Sequence, residues 1–433
     1  MHHIMNKLFG LRQHKTTVKQ EMLAGTVSFF TIVYIIAVNA SILADAGIPV
    51  EAGMIATILS ACTGCILMGM RANVPIVLVP GMGINALFTY TLVQGMGLTW
   101  QEALAVVVVS GVLFGVVAFT SLAAIITQAI PESLKEAITV GIGLFLAFIG
   151  LQKGGIVVPS STTFVALGSF DRAPVLLTLA TFIITLVLFA RNVPGNFLVG
   201  ILFGTALAAL FGELDLTRMS GTHLSFAGYA SVFGAMSFHG AASAVFWVAA
   251  FSMALVVVFE NIGLIHGHVR MAGKPAAFDR ALRTNALSVV ACGIFGTSPT
   301  VATVESAAGI TAGGKTGLTA VTTGGLFLLS LFFIPFLAVI PDSAIAPVLI
   351  IIGGLMLQSV QNINLKDFSE GFPAFLIIAL IPLTYSIVDG IAFGFIAYPL
   401  LKLALGRARE VRLPLYIIAG LFLLNFVLHT IGM

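Results

Sequence analysis

The sequence predicts an all-α polytopic membrane protein of fourteen transmembrane segments, a 7+7 inverted repeat with short β-strands in broken spans 3 and 10. Three observations lead there. Hydrophobic residues fill 59% of 433 positions and charged residues only 9%, against roughly a quarter charged in a soluble domain. Apolar runs of about 20 residues, the length a helix needs to cross roughly 30 Å of hydrocarbon, recur from Met22 almost without interruption. Two of these runs are broken by proline and glycine at matching places in the two halves, a pattern associated with inverted-repeat transporters.

Residues 1–21 read as an amphipathic cytoplasmic lead-in carrying Lys7, Arg12, Lys15 and Lys19. No small-residue cleavage site precedes the first span, so a cleaved signal peptide is not expected. The spans read as 22–44, 51–69, 76–96, 101–127, 134–151, 173–190 and 196–211, then 241–265, 284–297, 299–312, 316–340, 344–360, 372–388 and 390–404. The first repeat is thus 22–211, an extracellular connector 212–240 follows, and the second repeat is 241–404. Arg71, Lys135, Arg191, the cluster Arg270, Lys274, Arg280 and Arg283, then Lys315, Lys366, Lys402, Arg407, Arg409 and Arg412 fall on alternating sides of this count. Basic residues favour cytoplasmic loops, so both ends of the core are expected to face the cytoplasm across the cell membrane. Residues 405–433 hold a basic loop and an apolar segment, 413–431, whose place the pattern leaves open between crossing, interfacial and packed.

Seven is odd, so homologous halves must be inverted in the bilayer. Pro131-Glu132-Ser133 followed by ITVGIGLFLAFIGLQ corresponds to Pro341-Asp342-Ser343 followed by LIIIGGLMLQSVQ, and NFLVGILFG at 196–204 to GIAFGFIAY at 390–398. Gly200 and Gly204, spaced as GxxxG, are read as points of close helix approach. Cys62, Cys65 and Cys292 lie inside apolar segments and are read as packing residues, not disulfides or metal ligands. His266 and His268 are expected at the cytoplasmic interface just after span 8, with no third ligand for a metal.

The broken segments carry the chemistry. In NVPIVLVPGMGINALFTYT, 73–91, Pro75, Pro80, Gly81 and Gly83 interrupt a β-branched run; in GTSPTVATVESAAGITAGG, 296–314, Pro299 precedes a second such run and Glu305 opens a small-residue helix. Extended backbone at membrane depth survives only where protein or a cavity supplies its partners, and the two extended pieces can supply each other. Ionisable residues inside spans are costly and are functional candidates by default. Glu260, in VVVFENIGLIHG, and Glu305 meet that test. Burial disfavours the charged form of a carboxyl group, so one of the pair could carry a proton while the other accepts from N–H groups of a ligand. Asn85, just past the first break, is either a ligand contact or helix-to-helix glue.

Other classes fall away. A net charge of +3 gives no electrostatic footprint for nucleic acid. Gly309, Gly314, Lys315 and Thr316 spell GxxxxGKT, but a phosphate loop needs a strand running into its first glycine and a soluble sheet around it; here a half-helix is expected, so ATP binding is not. No nucleophile with a base, metal cluster or cofactor loop is present, so neither an enzyme nor a cofactor is expected.

At these residues the chain resembles the purine permeases of the nucleobase-cation symporter-2 (nucleobase/ascorbate transporter) superfamily, in the AzgA-like hypoxanthine/guanine/adenine branch. TTVKQEMLAGTVSFFTIVYIIAVNASILADAG at 16–47, PGMGINALFTYT at 80–91 and GTSPTVATVESAAGITAGGKTGLTAV at 296–321 carry the resemblance. It implies a core of spans 1–4 and 8–11 moving elevator-like against a gate of spans 5–7 and 12–14, in a protein that often pairs as a homodimer. It also implies that Glu260 and Glu305 hold the purine, with Asn85 after the third-span break and backbone around Val304 and Ser306 completing the contacts; Met82 at the first break joins the candidate set. Phe259 to Leu264 reads FENIGL where the purine branch usually has an aspartate, closer to the uracil and xanthine relatives. The expected function is proton-coupled import of guanine or hypoxanthine, then adenine. A uracil- or xanthine-type symporter, or an anion transporter on the same fold, is the alternative.

Overall fold

Lipid leaves no free partners for backbone N–H and C=O groups, so crossings must be helical wherever they are not buried in protein. The computed structural model describes residues 2–120, 122–214 and 226–431, so part of the expected connector lies outside the described residues. Within them the chain is mostly helical, and nine helices are long and apolar enough to cross a membrane.

A short helix α1 (His2–Phe9) leads to α2 (Val18–Ile32), which Thr17 caps by accepting from Gln20 N–H. Together α2 and α3 (Ile35–Ala44) form one crossing interrupted at Val33–Tyr34; α4 (Val50–Leu67) returns and ends in a π-helical turn, Met68–Ala72. The third segment is β1 (Leu78–Pro80), α5 (Met82–Ala86) and a π-helical continuation to Gly95. Then come α6 (Trp100–Phe119), α7 (Leu122–Ala129), α8 (Glu132–Lys153), a hairpin of β2 (Val157–Ser160) and β3 (Phe164–Leu167), α9 (Ala173–Ala190), α10 (Asn196–Leu210) and α11 (Phe226–Ala230). The second half runs α12 (Ala244–Met271), α13 (Phe278–Phe295), β4 (Thr300–Ala302), α14 (Ser306–Thr311), α15 (Gly317–Leu329) and α16 (Ile334–Leu337). It closes with α17 (Asp342–Met356), α18 (Phe368–Thr384), α19 (Ile387–Ala404) and α20 (Leu413–Ile431).

Several expected boundaries move for local reasons. The run expected at 101–127 is two helices, because Thr120 leaves helical geometry with φ −119 and ψ 177. Span 8 continues past residue 265 until Gly273, at φ 69, ends it. His266 and His268 therefore sit on α12, and His268 is 5% exposed instead of lying at the interface. Span 9 begins at Phe278, its polar first turns having hidden it from a hydropathy reading. Span 13 stops at Thr384 because Tyr385 adopts φ 57. The exposed β2–β3 hairpin falls in a stretch read as loop, its strands being too short to alternate visibly.

Packing sorts the helices into two groups. In one, α2, α3 and α4 pack with α6, α12, α13, α14 and α15; in the other, α8 packs on α17 and α18, with α9, α10 and α19 around them. Small residues allow these approaches. A β-carbon at Gly317 would lie 1.9 Å from the Gly69 carbonyl, and β-carbons at Gly200 and Gly204 would meet the hydroxyls of Thr185 and Thr181 at 2.2 and 2.6 Å. The GxxxG expectation holds. The three cysteines are buried and free.

Charge closes both ends of the bundle. At one, Lys153 of α8 lies 2.8 Å from Asp45 and 3.6 Å from Asp342, so the Lys153–Asp45 pair joins the two helix groups, and Tyr90 donates to the same Asp45 at 2.6 Å. At the other, Glu21 accepts the backbone N–H groups of Lys315 and Thr316, each at 3.0 Å, and so caps α15. Buried Lys402 lies 2.8 Å from Glu410. Hydrogen bonds from Ser369 and the Arg407 guanidinium hold the Asp367 carboxyl well below the usual carboxylate range.

The Gly317 contact generates a prediction. Gly317→Ala forces backbone against backbone and should lower the thermal unfolding midpoint of the purified protein in detergent, at an overpacking cost of about 1–3 kcal/mol. Gly325→Ala on the same helix, where a β-carbon meets nothing within 4 Å, should leave the midpoint unchanged.

Candidate functional site

The two interrupted segments meet as an antiparallel pair, with Leu78 opposite Ala302, Val79 opposite Val301 and Pro80 opposite Thr300. All six residues are buried. Short strands this deep leave backbone groups to satisfy beyond the ladder, and side chains supply them. Val77 N–H donates to Ser306 Oγ at 3.0 Å, Ala302 N–H to Asn261 Oδ1 at 3.0 Å, and Gly81 N–H to the Pro299 carbonyl at 3.2 Å.

Adjacent residues of α12 divide the work. Asn261 is fully buried; besides Ala302 it accepts from Asn285 Nδ2, and its own amide donates to the Val257 carbonyl at 2.8 Å. Glu260 points elsewhere. A β-carbon on Gly81 would lie 3.6 Å from Glu260 Oε1 and 2.6 Å from Val301, which puts the carboxylate beside the strand pair and the start of α5. It forms no ion pair or hydrogen bond among the described residues and keeps part of its surface exposed.

Glu305 stands at the N-terminal boundary of α14, also partly exposed, and its Oε1 accepts from the Tyr34 hydroxyl at 2.6 Å. Beside it Val304 is 69% exposed, unusual for a residue between two buried segments, so this side of the second break is open. Met82, 9% exposed, opens α5.

Asn85 and Ser306 are placed differently. Asn85 is fully buried; its Oδ1 accepts from Ser298 Oγ at 2.5 Å, while Nδ2 has no partner among the described residues. The glue half of its double reading is therefore visible. Ser306 spends its hydroxyl on Val77 and its N–H on the Thr303 carbonyl at 3.0 Å, tying one break to the other. Sequence reasoning missed Tyr34, Asn261 and Asn39, whose amide donates to Thr57 at 2.7 Å and to Thr297 at 3.0 Å. Polar residues inside apolar spans were the available signal.

Among the described residues no group of three His, Cys, Asp or Glu could hold a metal. Gly309 lies within α14, and a β-carbon there would meet Ser28 Oγ at 1.9 Å; a helix packed this tightly on α2 is no phosphate loop.

A membrane bundle with paired broken segments and two central carboxylates has the form of a solute carrier. Residues 19–393 match Xan_ur_permease, the Permease family. The chain belongs to this family. The permease is 54% identical over 383 residues to the nucleobase transporter PlAzg2 of Paenibacillus larvae, covering 88% of this chain and 77% of the relative. It is 40% identical to the guanine/hypoxanthine permease PbuO of Bacillus subtilis, covering 96% and 99%, and 36% identical to the adenine permease AdeQ of Escherichia coli, covering 98% and 96%. Its family is one of permeases, not enzymes, and the resemblance read at 16–47, 80–91 and 296–321 stands. In fold it matches the transmembrane domain of a cyanobacterial bicarbonate transporter, BicA, with a TM-score of 0.65 at 17% identity, covering 87% of this chain and 97% of that one. The murine anion transporter Slc26a9 gives a TM-score of 0.65 at 12% identity, with 89% and 68% covered.

The division of work on α12 is testable. Asn261→Ala leaves the Ala302 N–H without its acceptor in a buried place, at a cost of about 1–3 kcal/mol, and should lower the thermal unfolding midpoint in detergent. Glu260→Gln, one residue away on the open side, should not.

Proposed function

We propose that this permease imports purine nucleobases together with protons, guanine or hypoxanthine first and adenine second, binding them between the two broken segments. The observation that carries the reading is the pair of partly exposed carboxylates next to the buried β1–β4 pair, Glu260 beside the start of α5 and Glu305 at the start of α14. Relatives named for guanine, hypoxanthine and adenine support the substrate class. A nucleobase presents ring and exocyclic N–H groups in one plane, and carboxylates accept such donors well. One carboxyl group takes a proton with the base and releases it on the other side.

The cycle is elevator-like, in a fourteen-span 7+7 inverted repeat. The group of α2 to α6 with α12 to α15 is the moving core, and α8 to α10 with α17 to α19 the gate; their separate packing supports this division. The ion pair of Lys153 with Asp45 ties gate to core at the end assigned to the outside, where Tyr90 of the core holds the same carboxylate. The Glu260 side of α12 continues through Gly263 and Gly267, where a β-carbon would meet nothing within 4 Å. Both features support a state open toward the cytoplasm, with the N-terminus on that side of the cell membrane.

A second reading, a uracil- or xanthine-type symporter, is favoured by Glu260 standing where the purine branch usually has an aspartate. An anion carrier is disfavoured by two carboxylates in the site. Uptake of labelled guanine, hypoxanthine, adenine, uracil and xanthine in a transport-deficient cell separates these readings. Purine accumulation should collapse with a protonophore; accumulation that survives it removes the proton from the cycle. Glu260→Gln and Glu305→Gln should each cut uptake by about 10–100-fold, the equivalent of a lost charged hydrogen bond, without loss of protein from the membrane.

A further inference from the structure

Tyr34 occupies the interruption between α2 and α3, and its side chain is 3% exposed. Two contacts define it. Its hydroxyl donates to Glu305 Oε1 at 2.6 Å, a length typical of a charge-assisted bond. Its ring meets Phe197 of α10 edge-on at 5.2 Å, and Phe197 stacks on Phe189 at 5.8 Å. One residue of the first crossing thus touches both the carboxylate of the second break and the other helix group.

The terminal torsion of a glutamate is broad and roughly two-fold, so a carboxylate at the edge of an open region has no preferred plane of its own. A single bond from a buried phenol, fixed by its place at the interruption between α2 and α3, selects one. The carboxylate has about four acceptor positions on two oxygens, so a bond to Oε1 leaves capacity for other donors and fixes where that capacity points. We propose that Tyr34 is a positioning residue for nucleobase binding, orienting Glu305 so that its remaining acceptor positions meet the N–H groups of the base. This rests on the purine site argued above. A phenol serving packing alone would be replaced by phenylalanine without consequence.

Tyr34→Phe keeps the ring against Phe197 and removes the hydroxyl. With labelled guanine and adenine as probes, it should raise KM about tenfold, the effect of one lost charge-assisted bond, with Vmax within about twofold and the ligand-free unfolding midpoint unchanged. Phe197→Leu, which removes the ring partner and keeps the hydroxyl, should leave KM within about twofold. In a Glu305→Ala background, which removes the acceptor that glutamine would keep, Tyr34→Phe should add nothing, because the two residues act through one bond. Wild-type KM in Tyr34→Phe, an equal KM rise in Phe197→Leu, or full additivity with Glu305→Ala would each overturn the proposal. If Glu305→Gln itself binds and transports normally, the purine-site reading fails instead; if Glu305→Gln is impaired while Tyr34→Phe is not, only the role of Tyr34 is lost.

Discussion

Three residues of extended backbone from each half of the chain pair in the middle of an apolar bundle, and the remaining architecture follows from keeping them there. A backbone group without a partner in a lipid-shielded interior costs several kcal/mol, and strands of this length cannot satisfy their own ends. The neighbouring elements do it: Asn261 from α12, Ser306 from α14 and the Pro299 carbonyl each take one N–H. Two crossings are therefore broken where the strands meet, which brings polar backbone and side-chain groups into the middle of the bundle.

The polar groups around the pair fall into two kinds. Asn39 and Ser298 bond to each other, to Thr57 and Thr297 and to Asn85, while Asn261 and Asn285 bond to each other and Asn261 to backbone, and all are fully buried. Most of their polar atoms are paired, Asn85 Nδ2 and Asn285 Oδ1 being the exceptions among the described residues, as a buried polar network in a low dielectric requires. Glu260 and Glu305 instead keep exposed surface. Nothing cationic neutralises either of them among the described residues, which would be prohibitive in a sealed core and is tolerable where water or a ligand has access. The contrast between Asn261 and Glu260, one residue apart, shows how one helix can seal the interior on one face and keep a charged group accessible on the other.

Local pattern made much of this legible. Proline and glycine inside β-branched runs marked both breaks, and the pairing of the extended pieces followed from backbone accounting. The carboxylates stood out because a charge inside a span is rare. What the chain did not announce were partnerships across sequence distance: Tyr34 with Glu305 is 271 residues apart, and Lys153 with Asp45 and Asp342 joins three helices. No periodicity encodes such pairs. Helix ends set by a left-handed residue were also hidden, since Tyr385 looks like any aromatic until its φ of 57 is known. Span 9 was shortened because Asp279, Arg280 and Arg283 depress hydropathy while leaving the helix intact.

The register of the strand pair is itself symmetric: exchanging Leu78 with Thr300, Val79 with Val301 and Pro80 with Ala302 maps the pairing onto itself, with Val79 opposite Val301 at its centre. The helices that follow break that symmetry. One residue, Gly81, separates β1 from α5, whereas three, Thr303 to Glu305, separate β4 from α14. Glycine in the short connection admits Val301 and the Glu260 carboxylate to within contact of the backbone, where any side chain would intrude. The longer connection sets α14 back by the length of two residues, and it is there that Val304 is exposed and Glu305 meets Tyr34. A strictly symmetric pair would present the same short connection twice. The two added residues make the crossing point asymmetric, with one partly exposed carboxylate on a continuous helix and the other at the start of a broken one.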